Sequence, residues 1–396
     1  MAIELSSLTF TEQDDVVPAF GVEKIFNTGI ANTLAGDDII NGESGNTIRT
    51  AGVLVNHAIF NTGTLNTDGG NDTITGIYND QGNVRASSGY GIYNVEGIID
   101  TGDGNDMLTG LININSPHSN VYGIYNKKSI IDTGEGDDTI ISNDTSTDGD
   151  FWSYGLYNES STLNTGNGND LITGKGQDFG TYIFSGSLDT GNGNDVIKGN
   201  GGSSGIINFQ GTFNTSDGND IVTGTGILTG ITNSSLMNTG NGDDIITGLN
   251  TTEGGIGILN SSGFPQYSAI IDTGNGNDTI SGTASIINYG TINTGNGADS
   301  IIADGGFFGL GHVFLGNGKD YLKGFGSGDF YGGNGNDTLE LTPGTYTVGI
   351  WGEGSKSPVF TKGNQLMITS EFEKLKAGDT TYDFASLTAG QIIVVA

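Results

Sequence analysis

Twelve aspartates recur along the 396-residue chain in one setting: Asp38, Asp72, Asp106, Asp138, Asp170, Asp195, Asp220, Asp244, Asp278, Asp299, Asp320 and Asp337. Two places before each stands a glycine, and two places after it an isoleucine, leucine or valine. In I270-I-D-T-G-N-G-N-D-T-I-S-G282 the paired glycines permit positive φ, so that successive carbonyls turn toward one point. The aspartate then closes the turn with a carboxylate. Such a set of oxygens can coordinate a cation. Stacked in a file, the carboxylates would raise one another's pKa and oppose folding unless something positive lay between them. Lysine and arginine total 13 against 45 aspartates and glutamates, and Lys319 is the exception in being placed in a turn. A hard cation that takes oxygen ligands in tolerant geometry, Ca2+, fits carbonyls plus carboxylates. His57, His118 and His312 are scattered, which argues against zinc.

The elements that must position these residues follow from the spacing. The steps between aspartates are 34, 34, 32, 32, 25, 25, 24, 34, 21, 21 and 17. A motif held in register while its spacing varies is what a solenoid shows, because each coil returns to one corner and loops outward elsewhere. A helical reading fails: segments such as I98-I-D-T101 alternate and are β-branched, and frequent glycine disfavours helix by about 1 kcal/mol each. The expected fold is therefore all-β, a right-handed parallel β-helix whose hand follows that of parallel crossovers. The apolar residue after each aspartate should stack as one column of the core, with about 4.8 Å between coils.

A second motif keeps step with the first. Y90-G-I-Y-N94, Y122-G-I-Y-N126 and Y154-G-L-Y-N158 lie 32 residues apart, and G205-I-I-N208, G230-I-T-N233, G257-I-L-N260 and S285-I-I-N288 are reduced forms. Each reads as a further strand whose isoleucine points inward and whose asparagine ends the strand in a hydrogen-bonded ladder. The same alternation turns Tyr93, Tyr125, Tyr157, Ile207, Leu259 and Ile287 outward. That outward row predicts self-association, and a tyrosine row stacking on sugar rings is the alternative use for it.

Composition narrows the functions. Glycine, 71 residues, is about two and a half times its usual share, without a collagen period. A net charge of -32 excludes nucleic acid or an anionic membrane as the main partner. Regularly placed apolar residues argue against a disordered acidic tail. The chain has no cysteine, hence no disulfide framework, thiolate site or cysteine nucleophile. M1-A-I-E-L-S-S-L-T-F10 has no signal-peptide character, and no segment approaches a membrane span.

G332-G-N-G-N-D-T-L-E340 resembles the nonapeptide of the RTX, or hemolysin-type, calcium-binding repeat, G-G-x-G-x-D-x-U-x, with U a large apolar residue. The other copies, such as T101-G-D-G-N-D-M-L108, are similar to a variant with threonine first, and the likeness covers roughly residues 27 to 340. The resemblance implies that Ca2+ is held by the twelve aspartates and by turn carbonyls, including those at Gly104, Gly136, Gly168, Gly193, Gly242, Gly276 and Gly335. It is weaker at Leu34, Asp68 and Ser216, where the first glycine of the turn is missing. It departs in spacing too, since most coils are longer than those of a typical roll of that family and carry one turn each. One calcium column and a three-faced section are therefore expected, narrowing to an RTX-like roll near Asp320 to Asp337.

The expected organisation is an N-terminal cap at 1–26, a solenoid of about twelve coils at 27–340, and a C-terminal cap at 341–396. The stretch from Trp351 to Pro358 reads as a loop, and 371–396 resembles the unit that carries the type I secretion signal after RTX repeats. Repeats and caps leave no room for a separate catalytic domain, so the expected role is not enzymatic. The leading reading is a secreted, calcium-stabilised structural protein of a surface layer, sheath, matrix or filament; the alternative is an extracellular adhesin or glycan-binding module. A β-helix polysaccharide lyase needs a strong base beside acids in a cleft, and the only arginines are Arg49 and Arg85. An ice-binding face is opposed by Met107, Val196, Lys198 and Lys323, which interrupt any array begun by Thr73 and Thr75.

Overall fold

The computed structural model describes residues 2–18, 23–44, 55–80, 88–114, 120–146, 152–252, 254–263, 268–351 and 357–396. Arg49, Arg85, His118 and most of the loop expected at 351–358 lie outside these residues. The chain forms two compact units, one of residues 1–216 with 224–226 and one of residues 217–223 with 227–396. Each is a parallel β-helix.

One coil of the first unit gives the plan. Ser88–Val95 belongs to a tyrosine sheet, Ile98–Asp100 to a short sheet and Met107–Ile114 to a broad sheet; Asn120–Lys127 then returns to the tyrosine sheet. Strands pair parallel and in register with their equivalents one coil on: Ile92 with Ile124, Ile99 with Ile131, Leu108 with Ile140. Alternation turns one apolar residue per strand inward. The broad sheet contributes the buried column Ile40, Ile74, Leu108, Ile140, Ile172 and Ile197, the residues expected from the repeat. Leu65, Ile99, Ile131, Leu163, Leu188 and Phe213 form the column of the short sheet. Burying each such side chain contributes roughly 1.5–3 kcal/mol.

In the first unit two corners of the coil keep their length and the third absorbs the variation; in the second unit the link between the strands Ile256–Asn260 and Ile270–Asp272 is lengthened as well. Glu96 and Gly97 link the tyrosine and short sheets, and T101-G-D-G-N-D106 links the short and broad sheets. Broad strands run eight residues in Thr73–Asp80 and Met107–Ile114 but six in Leu171–Gly176. The longer strands add a small core of Tyr78, Ile112, Ile114 and Val121. Broad and tyrosine sheets approach closely through glycine: a Cβ on Gly110 would stand 2.3 Å from the Gly123 carbonyl oxygen.

In the second unit Thr229–Asn233, Ile256–Asn260, Ile286–Asn288 and Phe307–Phe308 succeed one another in the tyrosine sheet, which ends at Phe308 among the described residues. The short sheet continues through His312–Phe314, Gly328–Tyr331 and Gln365–Ser370, and the broad sheet through Tyr321–Lys323, Thr338–Leu341 and Lys374–Ala377. The tyrosine sheet is thus lost before Asp320 and Asp337, where a small parallel sheet of Asn296–Gly297, Asn317–Gly318 and Asn334–Gly335 runs through the turns between the short and broad sheets. Parallel pairing also reaches Ala2–Glu4 and Val16–Val17 at the start. After Leu341, Gly344–Trp351 pairs antiparallel with Ser357–Lys362 and Ile392–Val395. No helix among the described residues is long and apolar enough to cross a membrane.

Candidate metal centre

All twelve repeat aspartates are buried. In the first unit the backbone N–H of each donates to Oδ1 of the aspartate one coil on: Asp38 to Asp72 and Asp72 to Asp106 at 2.7 Å, then Asp106 to Asp138, Asp138 to Asp170 and Asp170 to Asp195 at 2.8 Å. In the second unit the same bond runs from Asp220 to Asp244, Asp244 to Asp278, Asp278 to Asp299, Asp299 to Asp320 and Asp320 to Asp337, at 2.8–2.9 Å. One carboxylate oxygen per turn is therefore bonded to the main chain.

In two turns the second oxygen also accepts a hydrogen bond, from a threonine five places earlier. Thr165 Oγ1 donates to Asp170 Oδ2, and Thr190 Oγ1 to Asp195 Oδ2, at 2.5 Å. Thr33, Thr67, Thr101, Thr133, Thr239, Thr273 and Thr294 hold the same sequence position and lower the pKa of their aspartates, but Oδ2 of those aspartates accepts no hydrogen bond, and Thr67, Thr101 and Thr294 donate instead to the carbonyls of Thr101, Thr133 and Leu315. Burial outweighs these bonds and raises every carboxyl so described. Asp138 reaches about 8, Asp170, Asp244 and Asp299 about 7, and Asp72, Asp106, Asp195, Asp278 and Asp320 about 6. The neighbouring carboxylates add to the rise, for instance Asp170 and Asp106 around Asp138.

The glycines serve twice. Gly104, Gly136, Gly168, Gly193, Gly242, Gly276 and Gly335 have φ between +138° and +158°, and a Cβ on Gly104 would lie 1.5 Å from the Gly70 carbonyl oxygen of the preceding coil. Glycine is needed for the bend and for the close stacking of turns. Where the turn's first glycine is missing, Leu34, Asp68 and Ser216 keep positive φ, 60° to 68°, at a cost of about 1 kcal/mol each.

These oxygens are hard donors, and a buried carboxylate is the ligand type Ca2+ takes. Among the described residues no three acidic or imidazole groups converge to hold an ion, so carbonyls of the turn would have to complete its shell. Oδ2 of Asp38, Asp72, Asp106, Asp138, Asp244, Asp278, Asp299, Asp320 and Asp337 is buried with no hydrogen-bond partner, which leaves those atoms fit for a cation.

The second motif builds two further columns. Asn27, Asn61, Asn94 and Asn126 each donate from Nδ2 to Oδ1 of the next asparagine, ending at Asn158, at 2.8–2.9 Å. Asn233, Asn260 and Asn288 repeat this in the second unit, so the expected ladder is present. Tyr90, Tyr122 and Tyr154 stack with centroids 5.0–5.2 Å apart, and Tyr93, Tyr125 and Tyr157 form a second file beside them. The rings cover one another, leaving Tyr122 7% and Tyr125 6% exposed. Ile207, expected on the outward row, is only 9% exposed, whereas Leu259, Ile287 and Phe308 form a paired outer row in the second unit.

Two residues of the aspartate column escaped the glycine-based reading. Asp15 N–H donates to Asp38 Oδ1, and Asp337 N–H donates to Glu373 Oε2, each at 2.7 Å. The signal that finds them is the acid followed two places later by a buried apolar residue, Val17 and Leu375.

No protein-family model matches the chain, and no curated protein matches it. A solved structure to which it is similar is a hyperactive, Ca2+-dependent, β-helical antifreeze protein from an Antarctic bacterium. The identity is 17% over 96% of this chain and 93% of that one, with a TM-score of 0.42.

Proposed function

We propose that the protein is a calcium-stabilised structural solenoid that acts outside the cell, as a component of a surface layer, sheath, matrix or filament. One observation carries this reading: the repeated polar side chains bond coil to coil, as in Asp138 to Asp170 and Asn94 to Asn126, so that the repeat's chemistry serves architecture. Self-association follows from the outer row of the second unit. Phe308 is 42% exposed, with Tyr289 at 62% and Leu310 at 77% beside it, an apolar face suited to a second copy of the chain. A net charge of -32 opposes packing of bare chains, so divalent cations also assist assembly by screening or bridging. The glycan-binding alternative is less well supported, because a sugar needs an open ring face and the tyrosines use theirs on one another. Electron microscopy of the purified chain in millimolar calcium and in chelator tests the proposal. Ordered assemblies that dissolve on chelation are expected; dispersed single molecules in both conditions would overturn it.

A further inference from the structure

Five turns of the second unit carry an Asn–Gly pair: Asn241–Gly242, Asn275–Gly276, Asn296–Gly297, Asn317–Gly318 and Asn334–Gly335. All five asparagines are exposed, and the five glycines share φ between +139° and +156°. Cyclisation of an asparagine is least hindered before glycine, which has no Cβ to shield its nitrogen from the side chain ahead of it. What separates the five pairs is the bonding of that nitrogen.

Gly242 N–H donates to the Asn275 carbonyl at 2.7 Å and Gly276 N–H to the Asn296 carbonyl at 2.8 Å, each one coil on. The parallel pairing of Asn296–Gly297 with Asn317–Gly318, and of the latter with Asn334–Gly335, engages the Gly297 and Gly318 N–H groups in the same way. Gly335 ends that small sheet. The next passage from short to broad sheet is residues 371–373, three residues in place of the six of 332–337, so no equivalent turn stands beyond it. Among the described residues no carbonyl accepts the Gly335 N–H, and Gly335 is exposed. Asn334 is likewise the last rung of its ladder. Its Nδ2 donates to Asn317 Oδ1 at 2.7 Å, and no asparagine follows to donate to its own Oδ1.

We propose that Asn334 is the site of spontaneous deamidation in this unit, and that the coil following each of the other four asparagines protects it. The Gly335 nitrogen, passing its proton to solvent, bonds to Asn334 Cγ; the Cγ–Nδ2 bond breaks and Nδ2 leaves as ammonia, giving a cyclic imide. Water then opens the imide at either carbonyl and leaves aspartate or isoaspartate at position 334. The product carries an added negative charge and no donor for Asn317 Oδ1, so the last rung of the ladder is lost.

Peptide mapping by mass spectrometry, after incubation of the folded chain in warm, mildly alkaline buffer with millimolar calcium, tests this. Each rate is taken relative to that of the same asparagine in the urea-unfolded chain. Asn334 should convert roughly fivefold or more faster than Asn241, Asn275, Asn296 or Asn317, the factor that follows from breaking one main-chain hydrogen bond before attack. An Asn334 that converts no faster than the other four in the folded chain, or a faster site among them, would overturn the inference.

Discussion

Asp170 Oδ1 accepts the backbone N–H of Asp138 at 2.8 Å while Asp170 Oδ2 accepts the hydroxyl of Thr165 at 2.5 Å. One carboxylate thereby fastens its own turn and ties it to the coil before. Asp170→Asn keeps the Oδ1 acceptor and should lose less than about 1 kcal/mol, whereas Asp170→Ala leaves the Asp138 amide unpaired and should cost roughly 1–3 kcal/mol. Urea unfolding midpoints of the two variants check the order.

Ile172 lies two residues further on and is fully buried between Ile140 and Ile197. Ile172→Ala should cost about 2–5 kcal/mol through the cavity it leaves. Millimolar calcium should not restore it, since no ligand is lost. Thermal unfolding with and without calcium gives the comparison.

Asn126 donates to Asn158 Oδ1 and to the Thr162 carbonyl, and accepts from Asn94. Asn126→Ala would strand the Asn94 donor in the core, with an expected loss of roughly 1–3 kcal/mol. Denaturant titration should place this variant well below a surface control such as Asn167→Ala.

His57 packs edge-on to Phe26 and stacks on Phe60, with ring centroids 4.8 and 4.9 Å away. Burial, with a smaller contribution from Lys24, lowers its pKa to about 4 from 6.5. The folded state therefore binds this proton less readily than the unfolded chain. Stability from the neutral ring is complete above pH 6.5 and is lost as pH falls toward 4, by up to about 3 kcal/mol. The repeat carboxyls have the opposite sign: Asp138, raised to about 8, favours the folded state as pH falls from 8 toward its ordinary value. His57→Phe should gain stability relative to the natural chain between pH 7 and 4.5, measured as the difference in unfolding midpoint; an unchanged difference would contradict this account of the ring.

Much of this architecture is legible in the sequence because each coil solves the same packing problem. The aspartate, the glycine before it and the apolar residue after it recur, since every turn needs the same bend and buries the same positions. The asparagine ladder is readable for the same reason, and it breaks where Ile183 pairs with Asn158 and Asn208. Strand alternation misleads at Tyr90: it would turn this ring inward opposite Tyr93, but the two stack at 4.5 Å because the strand departs from regular alternation at Gly91. The role of Thr165 and Thr190 was hidden, because a hydroxyl five places from an acid shows its function only once the turn is closed. Asp15 and Glu373 lack the flanking glycines, so the register that gathers the other turns passes over them.

The central claim is that these solenoids assemble with copies of themselves. Sedimentation velocity over a wide concentration range in millimolar calcium tests it most directly, comparing the natural chain with an Ile287→Asp, Phe308→Asp double variant. The account predicts concentration-dependent association of the natural chain and a folded, largely monomeric variant. A natural chain that stays monomeric throughout, or a variant that associates equally well, would contradict it.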